Sequence, residues 1–171
     1  MNWGVMATGM IAEKFARTIS SMRSEGENIV AVGSRDKERA QAFAKQYGIE
    51  KAYGSYEELA AAPNVDAVYI ATPNNLHFEN TMLCMNAGKH ILCEKPFTTC
   101  AEDAEKLYKT ADEKGLFVME GFWTRFLPLY DELLKIIKSK QFGKLCHARC
   151  DYGFIANGVR RERKFLSELG G

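Results

Sequence analysis

Ala7-Thr8-Gly9-Met10-Ile11-Ala12, near the N-terminus, has the types and spacing that let a backbone close on a pyrophosphate. Small residues leave room for phosphate oxygens, and the helix start behind them aims amide N–H groups at the charge. The stretch is an A-x-G-x-x-A version of G-x-G-x-x-G; only the middle glycine is kept, and Ala7 asks for a slightly wider turn. Short Gly/Ala turns are common, so position matters: this one follows the first strand and opens the first helix. Ala7, Thr8, Gly9, Met10 and Ile11 are the candidate contacts. A second signal is Gly33-Ser34-Arg35-Asp36. At that point an NAD site offers a carboxylate to the ribose 2′-hydroxyl, whereas an NADP site offers arginine to the 2′-phosphate. No acid precedes Ser34 and Arg35, and Asp36 is explained as a helix N-cap. Ser34 and Arg35 therefore favour NADP; NAD is the alternative, and a solvated loop arginine is the plain one.

Such turns need a sheet beneath them. The sequence alternates strands and helices. Residues 2–7 form a strand, and Ile11, Phe15, Ile19 and Met22 recur at helical spacing. Asn28–Gly33 is the next strand; Asp36 then caps a helix whose face is Ala40, Phe43, Ala44 and Tyr47, with Gly48 ending it. Ser55 and Glu58 have capping-box spacing, and Pro63 closes the short helix they open. Residues 66–71 are apolar without alternation, as in a strand buried on both faces, and are counted as the fourth. Residues 76–87 are the following helix, stopped by Gly88, and His90–Cys93 is the fifth strand. Thr99 and Glu102 predict a second capping box, with a helix ending at Gly115, and residues 116–119 make a sixth strand.

Six strands joined mostly by crossover helices predict an α/β fold, a doubly wound parallel sheet complete near Glu120. Residues 1–120 are thus one domain. Beyond it, Pro128 opens a helix faced by Leu129, Leu133, Ile136 and Ile137 and ended by Gly143. Residues 144–152 look like a strand, and an Arg-rich stretch, 157–164, leads to Leu169-Gly170-Gly171. One helix and one strand bury no core, so 121–171 is expected to be the truncated start of an α+β second domain. The unpaired strand predicts a homo-oligomer.

Composition excludes several classes. Lys+Arg total 23 against Asp+Glu 22, a net charge of +1, which gives no footprint for nucleic acid or an anionic membrane. No apolar run spans a bilayer and no signal core follows Met1, so a cytoplasmic location is expected. Five cysteines without a close CxxC pair argue against a disulfide framework and a metal site; Cys146 and Cys150, with His147 between them, are expected on one buried strand face.

Two more segments, Thr72-Pro73-Asn74-Asn75-Leu76-His77 and Glu94-Lys95-Pro96, stand at strand carboxyl ends, where ligands bind in this architecture. Together with Gly88-Lys89-His90 and the turn at Gly9, they resemble the Gfo/Idh/MocA family of oxidoreductases, whose hallmark is E-K-P after G-K-H. The likeness runs through about the first 150 residues. Trp123-Thr124-Arg125-Phe126-Leu127-Pro128 resembles the branch containing dihydrodiol and D-xylose dehydrogenases. The resemblance implies a Rossmann domain that binds a nicotinamide cofactor, and a small-molecule substrate. It implies hydride transfer at a hydroxyl or carbonyl of a sugar, polyol or dihydrodiol.

It also implies roles. A group must give or take the hydroxyl proton, and Lys95 is the candidate catalytic residue. Partial desolvation and a positive nicotinamide ring would lower its pKa, and Pro96 confines its backbone to extended conformations. Glu94 orients Lys95 or hydrogen-bonds the cofactor. Thr72, Pro73, Asn75 and Lys95 are cofactor contacts and His77 stands by the nicotinamide ribose, although a helix-start histidine can equally bond backbone. Trp123 and Arg125 are cofactor or substrate contacts; alternatively Trp123 and Phe126 are core residues and Arg125 forms a salt bridge. The family's D-x-G-x-H/Y segment is absent, so little dehydrogenase activity is expected of these residues alone. Two readings stay beside the leading one: a non-catalytic dinucleotide-binding fragment, and a member that uses its nicotinamide for glycoside cleavage.

Overall fold

Val5 and Met6 point to opposite sides of the first strand, and that alternation builds two cores. Residues 1–151 and 153 are described by a computed structural model. The elements run β1 (Asn2–Met6), α1 (Met10–Ser21), β2 (Asn28–Gly33), α2 (Lys37–Tyr47), β3 (Lys51–Tyr53), α3 (Tyr56–Ala60), β4 (Ala67–Ile70), α4 (His77–Asn86), β5 (His90–Cys93), α5 (Ala101–Lys114), β6 (Val118–Glu120) and α6 (Pro128–Ser139). All pairings are parallel, in the order β3-β2-β1-β4-β5-β6. Val5, Val32 and Tyr69 pack with Ala12, Ala16 and Phe43 of α1 and α2. Met6, Val68, Ile70 and Ile91 pack on the other face with Leu59, Met85 and Leu107. All four residues of β4 are buried, as its unbroken apolar run requires.

Local signals set most boundaries. Asp36 Oδ1 accepts from the Glu38 and Arg39 amides at 3.0 and 3.2 Å, and Gly48 ends α2 at φ 65°. Ser55 Oγ accepts from the Glu58 amide at 3.1 Å, while the Glu58 carboxylate reaches past Ser55 to the Gly54 amide at 2.8 Å.

Several expectations are corrected. Helix α5 starts at Ala101, so Cys100 is its N-cap, no side chain caps it, and Thr99 lies one residue outside. Strand β6 begins at Val118 because the Leu116 amide still closes α5 on Ala111 O at 2.9 Å. Helix α6 ends at Ser139, where Lys140 turns left-handed at φ 56°; Gly143 belongs to the turn beyond. Residues 144–151 form no strand, since no neighbour offers a ladder, and Cys146 and Cys150 are exposed rather than buried. Tyr152, the Arg-rich stretch 157–164 and Leu169-Gly170-Gly171 lie outside the described residues. Among the described residues no helix is long and apolar enough to cross a membrane.

Cys84 and Cys93 are fully buried between α4 and the sheet, and burial pushes both thiols up to about 12. Cys100, Cys146 and Cys150 are exposed. In the native protein at mildly alkaline pH, Ellman's reagent should modify three thiols promptly and the other two only after denaturation. Five prompt reactions would show that the packing of α4 on β5 opens readily.

Candidate functional site

Because every strand runs the same way, every turn after a strand emerges on one rim. That rim gathers Ala7 to Ile11, Ser34 and Arg35, Thr72 to His77, Glu94 and Lys95, and Trp123 to Arg125. The order reverses between β1 and β4, which opens a crevice above β1. From the end of β2 to the end of β5 is three strand spacings, roughly 14 Å.

The β1 turn is pinned at its start by the Ala7 amide donating to Gly33 O at 2.9 Å, and Ala7 sits at φ 84°, in the left-handed region. Gly9 is extended, at φ −80° and ψ 175°, a conformation open to any residue. A Cβ built there meets nothing within 4 Å. Neither backbone geometry nor internal packing calls for glycine at that place, and the missing side chain leaves the backbone open to close approach. Behind it, α1 has no side-chain cap, like α4, α5 and α6 and unlike α2 and α3. Its first amides carry the partial positive charge of a helix start, which suits an anion.

At the end of β2, Ser34 is buried and its Oγ accepts from the Asp36 amide at 3.2 Å. Arg35 is exposed and its guanidinium faces the Tyr56 phenol, where burial outweighs it and raises the pKa. Asp36 is engaged by two amides and by Arg39 at 3.3 Å. Gly33 is fixed by packing: a Cβ there would lie 2.9 Å from Leu59 Cβ.

On the opposite side of the crevice two loops are tied together. His77 is fully buried, with Nδ1 2.8 Å from Pro96 O and Nε2 3.0 Å from Thr72 O. Its ring is thus committed to backbone and has no surface left for a ligand. Thr72 Oγ1 accepts from Asn80 at 3.0 Å, Pro73 is half-buried and Asn75 exposed. The Lys95–Pro96 peptide is cis, and Lys95 is exposed; the partial burial expected of it is not supplied by the described residues. Glu94 Oε2 accepts from the Lys95 amide at 3.3 Å, while Oε1 accepts from the Tyr69 hydroxyl at 2.6 Å.

Glu94 opens onto a cavity of about 500 Å³ bounded by Ile11 and Phe15 of α1, Tyr69, Met119, Gly121, Trp123 and Phe126. Trp123 and Phe126 are 62% and 67% exposed, so they are not core residues. Arg125 is exposed beside Glu120, Tyr130 and Asp131, and makes no ion pair with a described residue. Three residues of this region escaped the sequence reading. Tyr69 is one of them. Glu120 accepts from the Phe97 amide at 2.9 Å, and Gly121 lies so close to β5 that a Cβ would meet Cys93 O at 3.2 Å. Their one available signal was their place at or beside a strand's carboxyl end.

Sheet order, open crevice and uncapped helix start define a dinucleotide-binding domain of the Rossmann type. The chain belongs to the Gfo/Idh/MocA oxidoreductase family, whose NAD-binding Rossmann-fold model matches residues 1–122. It is 39% identical to the mouse trans-1,2-dihydrobenzene-1,2-diol dehydrogenase over 171 residues, covering 100% of this chain and 51% of the relative. It is 43% identical to a D-xylose 1-dehydrogenase (NADP(+)) from Hypocrea jecorina over 167 residues, 92% of this chain and 43% of the relative. The chain therefore spans about half the length of these curated relatives. A 3-ketoreductase from Actinomadura kijaniata solved with NADP superposes with a TM-score of 0.75 at 31% identity, over 84% of this chain and 45% of that one.

Left-handed backbone costs a residue with a Cβ about 1–2 kcal/mol, partly offset by the unfolded-state entropy that glycine adds. Ala7→Gly should therefore stabilise the protein by roughly 0.5 kcal/mol in urea unfolding. A lowered midpoint would show that the turn carries no strain at Ala7.

Proposed function

We propose that this chain is the cofactor-binding part of an NADP-linked dehydrogenase acting at a hydroxyl or carbonyl of a sugar, polyol or dihydrodiol. The carrying observation is Gly9, a glycine with unstrained backbone and open space, set at the uncapped start of α1 over the switch point. The bound dinucleotide would supply a hydride acceptor or donor. Ala7 to Ile11 form the turn that receives its pyrophosphate, with Ala7 pinning the turn through Gly33 O and the amides beyond it turned to the phosphates. Arg35, with Ser34 shaping its loop, meets the 2′-phosphate. Asp36 is spent on capping α2, so no carboxylate at the end of β2 is left for a ribose 2′-hydroxyl; that supports NADP over NAD.

Thr72, Pro73 and Asn75 form the wall toward the nicotinamide ribose, and His77 holds that wall to the Lys95 loop. Lys95 carries the proton of the reacting hydroxyl, and its side chain is exposed at the rim beside Glu94. Glu94 faces the cofactor, with Trp123 and Arg125 at the substrate end. The names of the relatives, one a dihydrodiol and one a xylose dehydrogenase, support the substrate class. We place the domain boundary near residue 120, where the last strand and the family match both stop.

We further propose a cytoplasmic homo-oligomer. Support for association now comes from α6, whose Leu129, Leu133, Ile136 and Ile137 are 40–79% exposed, since the strand expected at 144–152 is not formed among its described residues. Sedimentation should show a dimer or larger species, and a clean monomer would overturn this part.

The cofactor assignment is tested by titrating the protein with NADPH and NADH while following Trp123 emission. NADPH should bind more tightly. Arg35→Ala should weaken NADPH ten- to a hundredfold, on the order of a lost charge-assisted phosphate contact, and leave NADH unchanged. Equal losses for both cofactors would remove Arg35 from the 2′-phosphate.

A further inference from the structure

Tyr69 is a buried aromatic in the middle of the sheet whose hydroxyl reaches out to the rim. It is 3% exposed, and its ring lies nearly parallel to Phe15 of α1, with centroids 4.0 Å apart and planes at 15°. The hydroxyl donates to Glu94 Oε1 at 2.6 Å, the short distance of a charge-assisted bond. Glu94 lines the cavity, and its other oxygen accepts from the Lys95 amide at 3.3 Å. A packing role alone would be met by phenylalanine, which fills the same slot and brings no polar group into the core. Burial raises the Tyr69 phenol above its ordinary pKa, and Glu94 pushes the same way, so the hydroxyl stays a donor through the physiological range.

We infer that Tyr69 is a positioning residue for Glu94: it holds Oε1 so that the remaining lone pairs face the cavity, ready to accept from the carboxamide N–H of a nicotinamide ring. The Phe15 stack joins that hold to α1, the helix whose start lies at the phosphate turn. The two ends of the crevice are in this way braced against each other through one aromatic pair. This inference rests on the cofactor reading above, because Glu94 needs a donor to receive.

The test compares wild type, Tyr69→Phe, Glu94→Gln and the double variant. Each is titrated with NADPH and with 2′-phospho-ADP-ribose, which keeps the phosphates and lacks the nicotinamide. Tyr69→Phe should weaken NADPH roughly tenfold, the scale of a hydrogen bond to a charged group. It should leave 2′-phospho-ADP-ribose within about twofold, because its phosphate contacts are untouched. In the Glu94→Gln background the same change should add nothing, since a residue acting through Glu94 has no independent effect. Additive losses, or equal losses on both ligands, would overturn the inference and leave the cofactor reading intact. Failure of wild type to bind either ligand would sink both. Should Tyr69→Phe fail to fold, Phe15→Leu leaves β4 untouched: a loss confined to NADPH that disappears in the Glu94→Gln background supports the brace, and no loss, or a loss that persists in that background, overturns it.

Discussion

Parallel pairing of β1 between β2 and β4 is the constraint on which the rest of the molecule depends. A parallel ladder cannot be closed by a tight hairpin, so each strand must be followed by a crossover that returns the chain to the end where the strands begin. All carboxyl ends then share one rim, and the turns that carry polar and conformationally special residues are collected there without any direct contact in sequence. Because the chain moves outward from β1 first to one side and then to the other, α1 and α2 pack on one face while α3, α4 and α5 pack on the other. The crevice is where those directions part, and α1 points its start into it.

The rim above β4, β5 and β6 is held by groups that satisfy one another's backbone. His77 faces carbonyls of two loops, Glu120 takes the amide after Pro96, and the Gly121 amide donates to Cys93 O at 2.6 Å. Unpaired backbone in such tight loops would be costly, and these partners remove the cost while fixing the loops relative to each other. Glu94 and Lys95 stand on that braced platform. Side chains available to a ligand are thus separated from side chains that hold the loops, although both kinds lie within the same short motifs.

Elements closed by a local device were legible in the sequence: the Asp36 and Ser55 caps, the ends at Gly48 and Gly115, and the uninterrupted apolar run of β4. Each depends on groups only a few residues apart. The errors fall where the deciding partner is remote or missing. The start of β6 depends on whether the Leu116 amide bonds α5 or β5, and the end of α6 on a left-handed Lys140 that no glycine announced. Residues 144–151 have strand composition, but composition cannot supply a neighbour. Among site residues, motif positions marked the rim correctly without separating ligand-facing groups from structural ones. His77 and Asn75 lie in one motif, one wholly buried and the other exposed. Tyr69 was hidden because a tyrosine in an apolar strand looks like packing until its hydroxyl is followed to Glu94.

The central place of β1 has a consequence for synthesis. Trp3 pairs with Ile29 on one side and with Ala67 on the other. The strand leaves the ribosome before either neighbour, and at about 5–20 residues per second the second of them arrives roughly 3–13 s later. Through that interval the future centre of the sheet keeps one unpaired edge, and Met6 still lacks Val68, Ile70 and Met85 from its core. The nascent chain is therefore at its most adhesive before β4 emerges, and a holdase acting on it would have its main work in that window.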